Sequence, residues 1–283
     1  MSYRPNNPHR RAGVRRNPLP AILAVAVLLA VAAATGVGLA RCASGGNAED
    51  PQPAPSYVSP YNWANLEWSG DRASYVENGR QTSRFGIDVS VHQREIDWQA
   101  VAEDGVDFAF IRVGYRGYTE GVLHVDECFE ANLAGARDAG IDVGAYFFSQ
   151  AITPEEAAEE ADFVIGQLAG RELDLPIAFD HEPIHEADGR ANGIDAETLT
   201  ACANAFCEKL EAAGYRTMIY GNAQVISRCS TAVTDARPVW LAEYHAAAPT
   251  AQFDFAIWQY SSTGRVAGID TDVDLNIIMP ELP

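Results

Sequence analysis

The chain has 283 residues, 47% of them hydrophobic, with 20 Lys and Arg set against 39 Asp and Glu for a net charge of −19. That length exceeds a usual single domain but fits one α/β barrel, and the apolar fraction is enough for a substantial core. Residues 1 to 41 contain six arginines and no acid, which leaves 14 basic against 39 acidic residues, about −25, in the remainder; a surface of that sign repels polyphosphates and excludes nucleic acid as the expected ligand.

Taken in chain order, residues 1–18 are a basic segment and residues 19–41 open on LPAILAVAVLLAVAAATGVGLA, an uncharged run from Leu19 to Ala40 long enough to span a bilayer as a helix. Arginines before the run and acids after it orient residues 1–18 to the cytoplasm and the bulk outside. The expectation is a single-pass anchor in the cell membrane through residues 19–40 with an extracellular body. Secretion after signal cleavage, at small residues such as Ala32, Ala33 and Ala34, is the alternative. Lipid attachment at Cys42 is disfavoured, because LARC places arginine where a small residue is required. Beyond Cys42, the cysteines are Cys128, Cys202, Cys207 and Cys229. An oxidising compartment would allow a disulfide among these four, although Cys202 and Cys207 stand about 140° apart on one predicted helix and face different ways.

Residues 42–84 are a linker and a polar, aromatic extension: 42–56 (CASGGNAEDPQPAPS) is small, polar and proline-rich, and 57–84 carries Tyr57, Tyr61, Trp63 and Trp68, which are expected to dock on the main body. Residues 85–283 form the main domain. Strands are predicted at FGIDVS (85–90), FAFIRVG (108–114), IDVGAYFFS (141–149), LPIAFDHE (175–182), TMIYG (217–221), VWLAEY (239–244), FAIWQYS (255–261) and near Val273. Helical patterns fall between most of them. Thr153, Pro154 and Glu156 read as N-cap, first-turn proline and capping-box acid, and Asp195 caps a helix with an apolar stripe at Leu199, Cys202, Phe206 and Leu210. Alternating strands and helices imply a mostly parallel sheet, and eight such strands close a barrel. Little helical sequence separates VWLAEY from FAIWQYS, so the fold class expected is α/β with an irregular, TIM-barrel-like β/α barrel behind the N-terminal transmembrane helix.

The stretch IAFDHEP (177–183) ends an apolar strand with two acids at i and i+2, which point to one face. Asp180 and Glu182 would then face the barrel interior at its C-terminal mouth, where parallel barrels gather functional residues. Each acid loses hydration there and opposes ionisation of the other, so one should hold its proton to unusually high pH, as a general acid requires. Asp88 and Asp274 add carboxyls from the first and last strands. Tyr115, Tyr146, Phe148, Trp240, Tyr244, Trp258 and Tyr260 lie at or near strand ends, and acids ringed by aromatic faces suit a carbohydrate.

FGIDVSVHQREIDW, FAFIRVGYRG, GAYFFS, PIAFDHE, IWQYSS and DVDLN resemble, in this order, the motifs of the family-25 glycoside hydrolases, the lysozymes of the Chalaropsis type. The resemblance covers about Phe85 to Asn276 and implies a modified β/α barrel that cleaves the β-1,4 bond between N-acetylmuramic acid and N-acetylglucosamine in peptidoglycan glycan strands. By motif, Glu182 matches the general acid and base, Asp180 the carboxylate beside it, and Asp88 and Asp274 the other acids of the cleft. Tyr146 and Gln259 resemble substrate-positioning residues, and Tyr115, Trp240 and Tyr244 complete the expected substrate-binding set. His181 departs from the pattern, where an apolar or aromatic residue is usual. No metal or cofactor is required, and a monomer is expected. The resemblance further implies retention assisted by the substrate's 2-acetamido group. A wall-saccharide-binding protein without turnover, or a hydrolase of another β-1,4-linked N-acetylhexosamine glycan, is the alternative. For the N-terminus the expected outcome is a full-length product in the membrane fraction; a soluble product starting near residue 35, on fractionation and intact-mass measurement, rejects the anchor.

Overall fold

The computed structural model describes residues 57–185 and 188–280, and within them all eight expected strand segments form strands of one closed sheet. A small antiparallel sheet comes first, with strands β1 (Leu66–Ser69), β2 (Arg72–Glu77) and β3 (Arg80–Gln81). The large sheet contains β4 (Arg84–Val89), β5 (Phe108–Arg116), β6 (Leu123–Val125), β7 (Asp142–Ser149), β8 (Ile177–His181), β9 (Thr217–Asn222), β10 (Val239–Ala242), β11 (Ile257–Gly264) and β12 (Val273–Ile278). Pairing of β4 with both β5 and β12 closes the barrel, while β6 adds to the outer side of β5. Strands from β4 to β11 run parallel around the ring, but β12 is antiparallel to both β11 and β4. The fold is therefore an eight-stranded barrel with one reversed strand.

The connecting helices are α1 (Trp98–Glu103), α2 (Phe129–Asp138), α3 (Pro154–Leu168), α4 (Ala196–Ala212), α5 (Ala223–Ile226) and α6 (Thr231–Ala236). Helix α3 starts as its sequence predicts: Thr153 Oγ1 accepts from the Glu156 amide at 3.3 Å. The Glu156 carboxylate reaches back one residue further than a capping box, to the Ile152 amide at 2.9 Å. Asp195 caps α4 by accepting from the Thr198 amide at 2.8 Å. Among the described residues no helix joins β10 to β11 or β11 to β12.

The N-terminal sheet covers the side that those connections leave bare. Trp68 packs edge-on against Trp258 and Tyr260, which face outward from β11, and its indole N–H donates to the Ala247 carbonyl. Trp63 stacks on Phe255 with the ring planes 3° apart, and Tyr75 is 2% exposed with its hydroxyl accepting from the Asn62 amide at 2.9 Å. The expected docking of 57–84 is thus observed, and Trp258 and Tyr260 are core residues under that sheet, apart from any ligand face.

Inside the barrel, Phe108, Phe110, Ala178, Met218, Trp240, Ile257 and Ile278 fill the lumen. Gly86 and Gly144 admit the Phe108 and Phe110 rings, since a Cβ at either position would come within 2.4 Å of the neighbouring ring. The outer layer, between strands and helices, is larger and includes Phe147, Phe179, Phe206 and Leu210.

Two sequence expectations change or fall outside these residues. Cys128, Cys202, Cys207 and Cys229 are free thiols; Cys202, Cys207 and Cys229 are buried among apolar side chains, which raise their thiol pKa values to about 12, 12 and 11 and disfavour the thiolate that disulfide exchange requires. Segments 1–18, 19–41 and 42–56 lie outside the described residues, and no helix among the described residues is long and apolar enough to cross a membrane. Tyr75→Ala should lower stability by about 3 kcal/mol, since it empties the seam between the small sheet and the barrel. Urea denaturation checks this, and a loss below about 1 kcal/mol would show that the seam is not packed.

Candidate active site

Strand alternation sets the cleft. On β4 and β12 the inward positions include Asp88, and Asp274, Asn276 and Ile278; on β5 and β7 they include Phe108, Phe110 and Arg112, and Tyr146; on β8 they are Ala178 and Asp180. Glu182 follows β8 directly. A cavity of about 220 Å³ at the C-terminal end of the parallel strands is lined by Asp88, Arg112, Tyr146, Phe148, Asp180, Glu182, Tyr220, Trp240, Tyr244, Gln259, Ser262 and Asp274. Asp274 reaches this end because β12 is reversed: it begins its strand where Asp88 nears the end of β4, and the two are cross-strand partners. A larger cavity of about 790 Å³ opens at the opposite end, between the starts of β10 and β11, and none of the four cleft acids borders it.

Of the residues expected from sequence, Glu182, Asp180, Asp88, Asp274, Tyr146, Gln259, Trp240 and Tyr244 border the cleft. Tyr115 does not. Past a register irregularity between Arg112 and Gly114 its ring stacks on His124 with centroids 5.0 Å apart, and the Arg112 guanidinium lies 5.4 Å from its centroid. Trp240 is 1% exposed and forms the floor rather than an open platform. His181 points to the outer layer as its i+1 position requires, parallel to Phe179, and burial lowers its pKa to about 4, so it is uncharged at neutral pH. Arg112, Tyr220 and Asn276 are the contributors that sequence reading passed over. Each carries a legible signal: Arg112 is in phase with Phe108 and Phe110, Tyr220 ends a short apolar strand beside Asp180, and Asn276 is two residues beyond Asp274.

Asp88 sits at the centre of a hydrogen-bond network. Its Oδ2 accepts from Gln259 Nε2 at 2.7 Å and from Asn276 Nδ2 at 2.8 Å. Gln259 Oε1 in turn meets the hydroxyls of Tyr220 at 2.8 Å and Tyr244 at 2.7 Å, and Asn276 Oδ1 accepts from Trp240 Nε1 at 2.8 Å. Asp88 also shares a hydrogen bond with Asp274, and Asp180 shares one with Glu182. Asp180 Oδ1 is buried with no protein partner. Arg112 donates through Nε to Asp126 Oδ2 at 2.8 Å, so the cation bordering the cleft is itself paired with a fully buried carboxylate.

Burial is the first cause of every carboxyl shift in the cleft, and all four are upward. Desolvating a carboxylate costs several kcal/mol, whereas a hydrogen bond to a charged group returns about 1.5 to 3. Asp88 has two amide donors on one oxygen, which offset part of its burial, and its pKa is raised. Asp180 has no such donors and adds repulsion from Glu182 and Asp88, so it lies well above the usual range. Asp274 is pushed to about 9 by burial and then by Asp88, and Glu182 is raised by burial and by Asp88. The cleft therefore holds neutral acids beside anions at neutral pH.

Glu182 leaves the strand without losing its position. The fully buried Gln150 donates through Nε2 to the Glu182 carbonyl at 2.9 Å, and the Gln150 carbonyl accepts from Arg190, whose guanidinium grips Glu156 through two contacts of 2.7 Å. Pro183 then limits the backbone that follows.

The sequence pattern of the glycosyl hydrolases family 25 matches residues 87–269, which contain Asp88, Asp180, Glu182 and Gln259. The chain belongs to this family. It is 34% identical over 202 residues to Lysozyme M1 of Streptomyces globisporus, covering 68% of this chain and 66% of that protein. It is 27% identical over 191 residues to the autolytic lysozyme of Clostridium acetobutylicum, covering 68% and 54%. The crystal structure of the bacterial lysozyme from Streptomyces coelicolor superposes with a TM-score of 0.59 at 31% identity, covering 68% of this chain and 90% of that one. The chain thus spans just under two thirds of the Streptomyces globisporus protein and about half of the clostridial one. Membership in the glycosyl hydrolases puts the four-acid cleft in a family of glycosidic-bond hydrolysis, and the extension 57–84 precedes the matched region as a covering sheet of its own.

The raised acids give a pH signature. A carboxyl whose folded pKa exceeds its ordinary value stabilises fully below that ordinary value, and the contribution is lost as pH climbs to the folded value, here about 9 for Asp274. Between pH 7 and 9, above the values of about 4 for His181 and about 7 for the buried Glu160, the melting temperature should fall, and Asp274→Asn should flatten that fall. Calorimetry across this window checks it, and an equally steep fall in the variant rejects the shift.

Proposed function

We propose that the protein is a peptidoglycan hydrolase, an N-acetylmuramidase that cleaves the β-1,4 bond between N-acetylmuramic acid and N-acetylglucosamine. The observation that carries the reading is the Asp180–Glu182 pair, hydrogen-bonded to each other at the mouth of the barrel, with Asp180 buried and its Oδ1 unpartnered and Glu182 half-buried beside it. The similarity to lysozymes from two Streptomyces species supports the same substrate class.

Burial and mutual repulsion leave one proton between the two acids at neutral pH. A 2-acetamido N–H docked on Asp180 favours the ionised form of that acid, since a hydrogen bond to the charged form stabilises it. The proton then resides on Glu182, which donates it to the leaving glycosidic oxygen as the acetamido oxygen attacks the anomeric carbon from the opposite side. Water, deprotonated by Glu182, opens the resulting cyclic intermediate and returns the proton, with net retention. Asp88 supplies negative charge against the developing cation, and Tyr146, Tyr244 and Gln259 border the space that the sugar would occupy.

The charge asymmetry of residues 1–41 supports a location on the outer face of the cell membrane, with secretion as the alternative. A tether would also offset the slow approach of an acidic protein to an anionic wall by raising local concentration.

Glu182→Gln should retain the fold and lower turnover on purified peptidoglycan by about 10²- to 10⁴-fold, with Asp180→Asn severely impaired as well. Reducing-end release and mass spectrometry of the muropeptides measure both the rate and the bond. Undiminished release by Glu182→Gln would refute the assignment of the acid, and binding to walls with no release by the unmodified protein would favour a saccharide-binding role.

A further inference from the structure

Asp88 and Asp274 face each other across β4 and β12 and share a hydrogen bond, and with Asp88 only 6% exposed a charge on either opposes a charge on the other. Donor chemistry in the residues behind Asp88 biases which of them holds the proton, because hydrogen bonds to a carboxylate favour its charged form. The indole N–H of Trp240 can only donate. It lies 2.8 Å from Asn276, so the Asn276 oxygen must face Trp240 and the Asn276 NH₂ must face Asp88, 2.8 Å away. The opposite amide orientation would oppose two N–H groups across 2.8 Å inside the core. Asn276 is 0% exposed and Trp240 1%, so no solvent can relax this polarity.

The Tyr220 and Tyr244 hydroxyls behind Gln259 can donate or accept, so that arm has no direction of its own. It takes its direction from the first. Once Asn276 donates to Asp88 Oδ2, this oxygen is an acceptor, and Gln259 meets the same atom as a second donor at 2.7 Å.

We infer that Trp240 and Asn276 are positioning residues that keep Asp88 ionised and place the proton of the Asp88–Asp274 pair on Asp274. Asp274 then acts as a neutral hydrogen-bond donor to Asp88, and this half of the cleft carries one negative charge at a fixed place. The remaining groups around Asp88 agree with that arrangement. From β8, Asp180 and Glu182 oppose its charge but share a proton; from β5, Arg112 favours it but is spent largely on Asp126; and the hydroxyls of Tyr146, Tyr220 and Tyr244 stay neutral because burial raises them. The charge on Asp88 also pushes the pKa of both Asp180 and Glu182 upward, so Asn276, and Trp240 behind it, act on the reacting proton through Asp88. This consequence for turnover rests on the muramidase reading; the placement of the proton does not.

Carboxyl ¹³C NMR of the full-length protein labelled at aspartate, with Asp88→Asn and Asp274→Asn used only to assign signals, tests the placement at pH 7. The expected result is Asp88 at the ionised chemical shift and Asp274 at that of a neutral acid; the reverse, or two ionised signals, overturns the inference. In Asn276→Leu the Asp88 signal should move toward the neutral-acid position, and the alkaline limb of kcat/KM on peptidoglycan should fall by about one pH unit, because the pair at Asp180 and Glu182 loses a neighbouring anion. An Asp88 signal and an alkaline limb that both stay in place in this variant also overturn it. The NMR needs no turnover, so a protein that cleaves no wall glycan would refute the muramidase reading while the position of the proton is still decided.

Discussion

Four carboxyl groups compressed into one small barrel mouth are the constraint on which the rest of this structure depends. The one arginine bordering the cavity is already paired with Asp126, so the acids are not neutralised by a cation and must share protons among themselves. They do this as two hydrogen-bonded pairs, Asp88 with Asp274 and Asp180 with Glu182. The same unfavourable burial that destabilises the folded state at high pH keeps protons on these acids at a pH where an exposed glutamate would have lost them.

The surrounding architecture serves to hold those pairs. Seven parallel strands deliver side chains to one end, and the reversed β12 brings the start of the last strand to the same end, so that Asp274 and Asn276 meet Asp88. Behind Glu182, Gln150, Arg190 and Glu156 fix the exit from β8 to the start of α3. On the far flank, no helix among the described residues joins β10 to β11 or β11 to β12, and the N-terminal sheet covers Trp258, Tyr260 and Phe255 instead. Exposing three large aromatics would otherwise leave an apolar patch on the surface. The extension thus belongs to the stability of the barrel.

Sequence by itself determined the eight strand segments, the caps of α3 and α4, and the inward direction of Asp88 and Asp180, because periodicity and capping are local properties of a few neighbouring residues. The ordered motifs determined the family for the same reason: they are strings of adjacent residues. Tertiary structure alone decided the reversal of β12, the packing of residues 57–84 against β11, and the free state of the four described cysteines, since each depends on partners distant in the chain. It also left Tyr115 outside the cleft, stacked on His124 of β6, and it brought in Arg112, Tyr220 and Asn276. Whether a buried acid keeps its proton is set by the donors and charges that converge on it in space, and for Asp88 those come from β11, β12 and, behind them, β10. No one stretch of sequence contains that information.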